Sequence, residues 1–278
     1  MSLLDQILQS TRRRVEETRA GANLRELERA AGEHSVRGFR RGLVEKAESG
    51  VAVIAELKKA SPSKGLIRAE FDAAGLAAEL AGAGAGALSV LTDGEYFQGS
   101  LENLRRASSA CAIPCLRKDF ILDEFQILEA RASGADAVLL IVAGLSDGEL
   151  RRLSAEARRM GLDVLCEVHD ESELKRALDL GFETVGVNNR NLKTFVVDLE
   201  TSLRLVAGVP AGVFCVAESG IESGEDIARL RTAGFGAFLI GESLMKAERP
   251  GVALVELLRR GFTTEDTAVH RGNVTAQH

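Results

Sequence analysis

The amino-acid sequence predicts an α/β fold, a TIM-type (β/α)8 barrel with an N-terminal helical extension. Three observations carry that expectation. From residue 51 onward, short apolar runs of strand length alternate with amphipathic segments of helix length. The β-then-α unit recurs eight times, the number at which a parallel sheet closes on itself; an open doubly wound sheet has fewer strands and a glycine fingerprint after the first. The 28 glycines, against only 4 prolines, punctuate the joins between runs and form no flexible tract, so the chain reads as one compact unit.

Before the first strand, 4–20 (LDQILQSTRRRVEETRA) and 24–30 read as helices of an extension, 1–48, that is too short to be an independent catalytic domain. It is expected to pack on the barrel's rim. The barrel domain spans 49–262, with strands at 51–57, 87–93, 114–120, 136–142, 163–169, 184–189, 213–219 and 236–241. The helical stretches between them, such as DEFQILEARASG, SDGELRRLSAEARRMG and SGEDIARLRTAG, open with Asp or Ser and close with Gly, as helix caps do. A helix at 250–260 precedes a polar, aperiodic tail, and 263–278 is expected to be disordered.

Composition narrows the function. A net charge of −6, no Trp and a single Tyr leave neither the basic surface nor the stacking platforms of a nucleic-acid-binding protein. No run approaches the ~18 unbroken apolar residues of a membrane span, and MSLLDQILQSTRRR lacks the order of a signal peptide. A cytoplasmic protein with no membrane partner is expected. Cys111, Cys115, Cys166 and Cys215 lie in or beside apolar runs without CxxC spacing or clustered His, so they read as small buried hydrophobes and not as a zinc site.

A barrel's chemistry sits at the carboxyl ends of its strands, so the informative residues are polar ones that end apolar runs with inward parity. Glu56 and Lys58 share a face with Ile54, Lys118 with Leu116, Glu167 with Leu165, and Glu218 with Val216, while Asn188 and Arg190 alternate in VNNRN. A single charge at a strand end is usually a solvated loop residue. So many on five strands, with one parity, predict a mouth crowded with ionisable groups, which suits acid–base chemistry.

Two further strand ends, ESG (Glu218, Ser219, Gly220) and IGESL (Gly241, Glu242, Ser243), place small residues in the loops that form a phosphate cradle in this fold. A phosphate monoester is therefore expected, held by Ser219, Gly220, Gly241 and the backbone N–H of Glu242, whose carboxylate should point away. Ser61, in the first loop, adds a hydroxyl. His169 follows Glu167 at matching parity and admits two readings, a proton shuttle or, more simply, a polar residue opening the DESEL helix. Arg12, Arg13 and Arg14 read as a solvated helix face, with substrate gathering as the rival account.

The chain closely resembles the indole-3-glycerol phosphate synthase family. The resemblance rests on AELKKASPSKG (55–65), SVLTDGEYFQGS (89–100), LRKDFILD (116–123), QILEARASGADAVLL (126–140), EVHDESEL (167–174), VGVNNRNLKTFVVDL (185–199), AESGI (217–221) and FLIGESLM (238–245), in the family's order. It covers about residues 1–260, and only the tail has no counterpart.

The resemblance implies conversion of 1-(2-carboxyphenylamino)-1-deoxyribulose 5-phosphate to indole-3-glycerol phosphate, with release of carbon dioxide and water and without metal or organic cofactor. It makes Lys118 the general acid of ring closure. Glu167 and Glu56 are assigned to dehydration and Lys58 to the substrate carboxylate, with acid duty open to it as well. Arg190 is expected to hold a carboxylate or orient Glu167, Asn188 to hydrogen-bond a hydroxyl or the amine, and Glu218 to orient Lys58 or a sugar hydroxyl. Phe120 and Leu239 would wall the aromatic ring. The rivals are another phosphosugar-barrel enzyme, which a Cys/Asp or Asp/Asp pair at the mouth would favour, and a catalytically silent barrel, which loss of Lys118 or Glu167 would mark; neither sign is present. A monomer and a weak homodimer both stay open.

Overall fold

A computed structural model describes residues 2–192 and 194–260. The expected disorder of 263–278 falls outside the described residues. Eight parallel strands close into a barrel: β1 (Ala52–Leu57), β2 (Ala87–Leu91), β3 (Cys115–Lys118), β4 (Ala137–Ile141), β5 (Asp163–Val168), β6 (Thr184–Asn188), β7 (Phe214–Glu218) and β8 (Ala237–Ile240), with β1 bonded to both β2 and β8. A two-residue ribbon, Ala60–Ser61 against Gly65–Leu66, shapes the first loop. Among the described residues, no helix is long and apolar enough to cross a membrane.

The strands read as continuous apolar runs because both faces are covered. Inward parity gives a cluster that includes Ala52, Ile54, Ala87, Leu116, Ala137, Leu139, Leu165, Val216 and Leu239. Outward parity gives Val53, Ala55, Leu57, Val138, Leu140, Cys166 and Val185, packed beneath the helices. Alternation therefore decides which side chains fill the barrel, and Glu56, Lys118, Glu167 and Glu218 continue the inward rows at the carboxyl ends. Helix starts follow the sequence: Ser146 with Glu149, Asp123 with Gln126, and Ser223 with Asp226 form capping boxes.

The strands end one or two residues earlier than several of the apolar runs suggested. Thr92, Asp93 and Asp119 have left the ladder for the loops above it. The extension holds three helices, α1 (Leu3–Gly21), α2 (Leu24–Glu33) and α3 (Phe39–Ser49), of which the sequence reading found the first two. Helix α3 starts at Gly38, which is in the left-handed region and offers no side-chain cap, so the usual signal is missing. Its docking compensates: Phe39 and Leu43 are fully buried in the inner cluster at the amino-terminal end of the barrel. Burial of two such side chains contributes on the order of 2 kcal/mol each, more than the ~1 kcal/mol of a missing cap. Cys115, Cys166 and Cys215 are buried, whereas Cys111 is half-buried, a departure from the reading of all four as core.

Candidate active site

The carboxyl ends of the strands open into a cavity of about 390 Å³, a size suited to a small phosphorylated metabolite. Its lining includes Glu56, Lys58, Ser61, Lys118, Phe120, Glu167, Asn188, Arg190, Glu218, Ser219, Gly220, Leu239, Gly241 and Glu242. Apart from His169, the residues singled out by strand-end parity and loop composition thus meet in one place.

Two ion-paired groups face each other there. At the end of β1, Lys58 Nζ is 2.6 Å from Glu56 Oε1. On β3, Lys118 donates to Glu167 Oε2 at 3.1 Å and lies 3.8 Å from Glu218 Oε2. Burial disfavours the Lys118 charge, but Glu167, then Glu218 and Glu56, outweigh it and raise its proton affinity above the ordinary lysine range. Burial likewise opposes the charge of Glu167, yet Lys118 and then His169 hold this carboxyl well below the usual carboxylate range. Glu218 moves the other way: burial, reinforced by the neighbouring Glu167 charge, pushes it up to about 8. Two buried carboxyls beside one ammonium are thereby pushed apart in proton affinity, Glu167 downward and Glu218 upward.

Glycines make room for these carboxylates. A Cβ on Gly186 in β6 would collide with Oε1 of Glu218, and one on Gly241 would lie 2.5 Å from Glu56 Oε1. Gly186 breaks the branched-residue pattern of β6 for this reason.

The loops after β7 and β8 form the second half of the cavity. Ser219 and Gly220 both have positive φ, at 67° and 78°, which turns the backbone sharply after Glu218. Asn189 staples this turn, donating from Nδ2 to the Ser219 carbonyl while its Oδ1 accepts from Ser202 N. Ser243 also lines the cavity, and its buried hydroxyl has no protein partner.

Three expectations are narrowed or corrected. Of its two expected roles Arg190 holds a carboxylate and is not paired with Glu167: its Nη2 lies 3.6 Å from Glu242 Oε2 and its Nη1 donates to the Phe195 carbonyl, because the loop after β6 folds back at an Arg190–Val197 bridge. Glu218 pairs with Lys118 and not with Lys58, since Glu56 already occupies Lys58. The Glu242 carboxylate does not point away: it lines the cavity and gathers Lys246 at 2.7 Å, Lys64 at 3.5 Å and Arg190. Asn188 lines the cavity while its Oδ1 accepts the backbone N–H of Arg190.

Other contributors were not read from the sequence. Phe97 meets Phe120 at a ring-centroid distance of 6.3 Å and lines the same wall. Leu3, Leu4 and Ile7 of α1 reach the cavity, so the extension forms part of it. Arg14 is not on a solvated face; it bridges Asp93 at 2.8 Å and Asp119 at 3.1 Å. Asp119 also accepts from Thr92 and Arg117, and Arg117 donates to the Gln126 carbonyl and Glu129. The charge of Arg117, at outward parity on β3 beneath helices, had no solvent to face, and that was the available signal.

The model of the family described as indole-3-glycerol phosphate synthase matches residues 4–257. The chain belongs to the indole-3-glycerol phosphate synthase family. An indole-3-glycerol phosphate synthase of Koribacter versatilis (strain Ellin345) is 64% identical over 257 residues, which cover 92% of this chain and 99% of that one. One of Bordetella pertussis is 52% identical over 233 residues, 84% of this chain and 89% of its own length. Among solved structures, a 3-hexulose-6-phosphate synthase superposes with a TM-score of 0.61 at 18% identity, covering 76% of this chain and 99% of that one. A mandelate oxidase mutant superposes with a TM-score of 0.57 at 21% identity, covering 76% and 72%. These two likenesses concern the barrel fold alone.

Proposed function

We propose that this chain closes the pyrrole ring of an indole, converting 1-(2-carboxyphenylamino)-1-deoxyribulose 5-phosphate to indole-3-glycerol phosphate with loss of carbon dioxide and water. Membership in the family makes it a carboxy-lyase of tryptophan biosynthesis. The observation that carries the mechanism is the Lys118–Glu167 pair at the centre of the cavity, with Glu218 beside it.

In the first step the ring carbon bearing the carboxylate attacks the ketone, and negative charge develops on the ketone oxygen. Lys118, held fully charged, donates its proton there; an alkoxide is a stronger base than an amine, so the transfer runs downhill. Loss of carbon dioxide restores the aromatic ring. Dehydration then removes the new hydroxyl as water and a proton from the neighbouring carbon. Glu167, kept anionic, suits the base, with Glu56 the other carboxylate at hand, and protonated Glu218 or Lys58 can serve the departing hydroxyl.

Lys58 is suited to the substrate carboxylate, Asn188 to a hydroxyl or the amine, and Phe120 and Leu239, with Phe97, to the aromatic ring. Ser219, Gly220, Gly241 and the Glu242 backbone, with Ser61 and Arg190 nearby, suit the phosphate. Each proton transfer has a side chain at hand, and the reading requires neither metal nor organic cofactor. It is that of a cytoplasmic enzyme, monomeric or weakly dimeric. Incubation with the carboxyphenylamino ribulose phosphate should produce the fluorescence of an indole; a substrate left unchanged contradicts the reading.

A further inference from the structure

Oxygen Oε2 of Glu167 is engaged by Lys118, and its other oxygen faces away from that ammonium toward His169. The imidazole lies behind the catalytic wall: His169 is absent from the cavity lining, whereas Glu167 is part of it. Nδ1 of His169 is hydrogen-bonded to Glu173 Oε2 at 3.0 Å, and Nε2 lies 3.3 Å from Glu167 Oε1, an ion-pair contact outside hydrogen-bond geometry. That same Glu173 oxygen accepts the backbone N–H of His169 at 2.9 Å. Glu173 is fixed in turn because its own N–H donates to Asp170 at the start of the helix Glu171–Asp179. The side chains are 2% exposed at Glu167, 11% at His169 and 14% at Glu173, so these contacts are largely shielded from water.

The two carboxylates set the charge of the ring between them. Glu173 accepts at Nδ1, which requires a proton on that nitrogen. A neutral imidazole would then present its Nε2 lone pair to Glu167 Oε1, a repulsive contact in a low-dielectric site. Only the doubly protonated ring is attracted to both carboxylates.

We propose that His169 is a positioning residue for Glu167: as an imidazolium anchored by Glu173, it holds Oε1 so that Oε2 stays turned toward Lys118 and the carboxylate stays anionic. This deepens the reading given under Proposed function and rests on it. The groups facing His169 are Glu167 on β5, Glu173 on the following helix and, near its cationic ring, Asp170; those facing Glu167 from across the mouth are Lys118 on β3 and Glu218 on β7. Burial disfavours the imidazolium, but the Glu167 and Glu173 contacts outweigh it and push His169 up to about 10, in keeping with the tautomer argument.

The first test needs no substrate. The nitrogen-15 resonances of His169 in the wild-type protein should show both ring nitrogens protonated above neutral pH, whereas a neutral tautomer there overturns the proposal. The second compares wild type with His169→Gln and Glu173→Gln in the ring-closure assay. Loss of the cation should raise the proton affinity of Glu167 and move the acid limb of the kcat–pH profile upward by about one unit, with kcat falling roughly tenfold and KM nearly unchanged. Glu173→Gln should move the limb the same way but less. An unmoved limb and wild-type kcat in His169→Gln overturn the proposal while leaving the function intact, because wild-type turnover is measured alongside. A wild type without turnover sinks the functional reading instead, and the nitrogen-15 result still decides the state of His169.

Discussion

Arg14 of α1 donates to Asp119 at 3.1 Å, the residue directly after Lys118, and to Asp93 at 2.8 Å on the neighbouring loop. Sequence positions more than a hundred residues apart are joined at the point where the catalytic strand ends. Burial works against the Asp119 charge, but Arg117 and Arg14 hold its carboxyl below the ordinary range. Arg14→Met should therefore leave part of a buried charge uncompensated and cost about 1–3 kcal/mol, a moderate loss because Arg117 and Thr92 still serve Asp119. Denaturant unfolding would measure the loss, and turnover should fall with it, less than for any change at Lys118.

Lys118→Met should cut kcat by at least about a hundredfold, the scale of a positioned proton donor. It also leaves Glu167 and Glu218 without their shared cation, so stability should fall. The sign with pH follows from Glu167, whose affinity for protons is depressed in the folded wild type. That stabilisation is present above the unfolded carboxyl range and lost as pH falls. The variant lacks most of it, so the difference in unfolding midpoint between the two proteins should shrink toward acid pH.

Glu218→Gln should separate stability from activity. Burial and the Glu167 charge push this carboxyl up to about 8, and its Oε1 has no hydrogen-bond partner. A raised carboxyl contributes most at acid pH and loses that contribution as pH rises through about 8, so the neutral amide should be the more stable form above that point. Thermal unfolding at alkaline pH should show a higher midpoint, and kcat should fall.

Gly186→Ala is expected to harm the site without touching substrate. The added methyl collides with Oε1 of Glu218, forcing that side chain away from Lys118. Turnover should drop by about tenfold or more, with the barrel still folded by circular dichroism.

Cys111 should be the thiol that alkylates first. The neighbouring Cys115 thiol lowers it to about 7 against the effect of burial, whereas burial raises Cys166 and Cys215, the latter to about 11. Peptide mapping after brief iodoacetamide treatment would identify the modified site.

The barrel and the charged groups lining its mouth were legible because strand parity is a two-fold rule: once the apolar rows are found, Glu56, Lys118, Glu167 and Glu218 fall on the inner face with no freedom left. What parity does not encode is who pairs with whom across the mouth. Arg190 meeting Glu242, and Glu218 meeting Lys118, depend on loop paths and on the stagger of non-adjacent strands. Arg14 stands in a run of three arginines, and only docking of α1 selects it. His169 was read most simply as a polar residue opening a helix, yet Asp170 caps that helix and His169 precedes it; its contact with Glu167 becomes visible only with Glu173 folded back against it. Helix α3 escaped because its start lacks a cap and its stability lies in Phe39 and Leu43 inside the barrel.

In the proposed mechanism Lys118 drives ring closure while Glu167 serves the later loss of water. Parallel measurement of carbon dioxide release and indole fluorescence in Lys118→Met and Glu167→Gln, with the carboxyphenylamino ribulose phosphate as substrate, tests it most directly. Lys118→Met should suppress both signals together, and Glu167→Gln should release carbon dioxide faster than fluorescence appears. Wild-type rates of both signals in either variant would contradict the account.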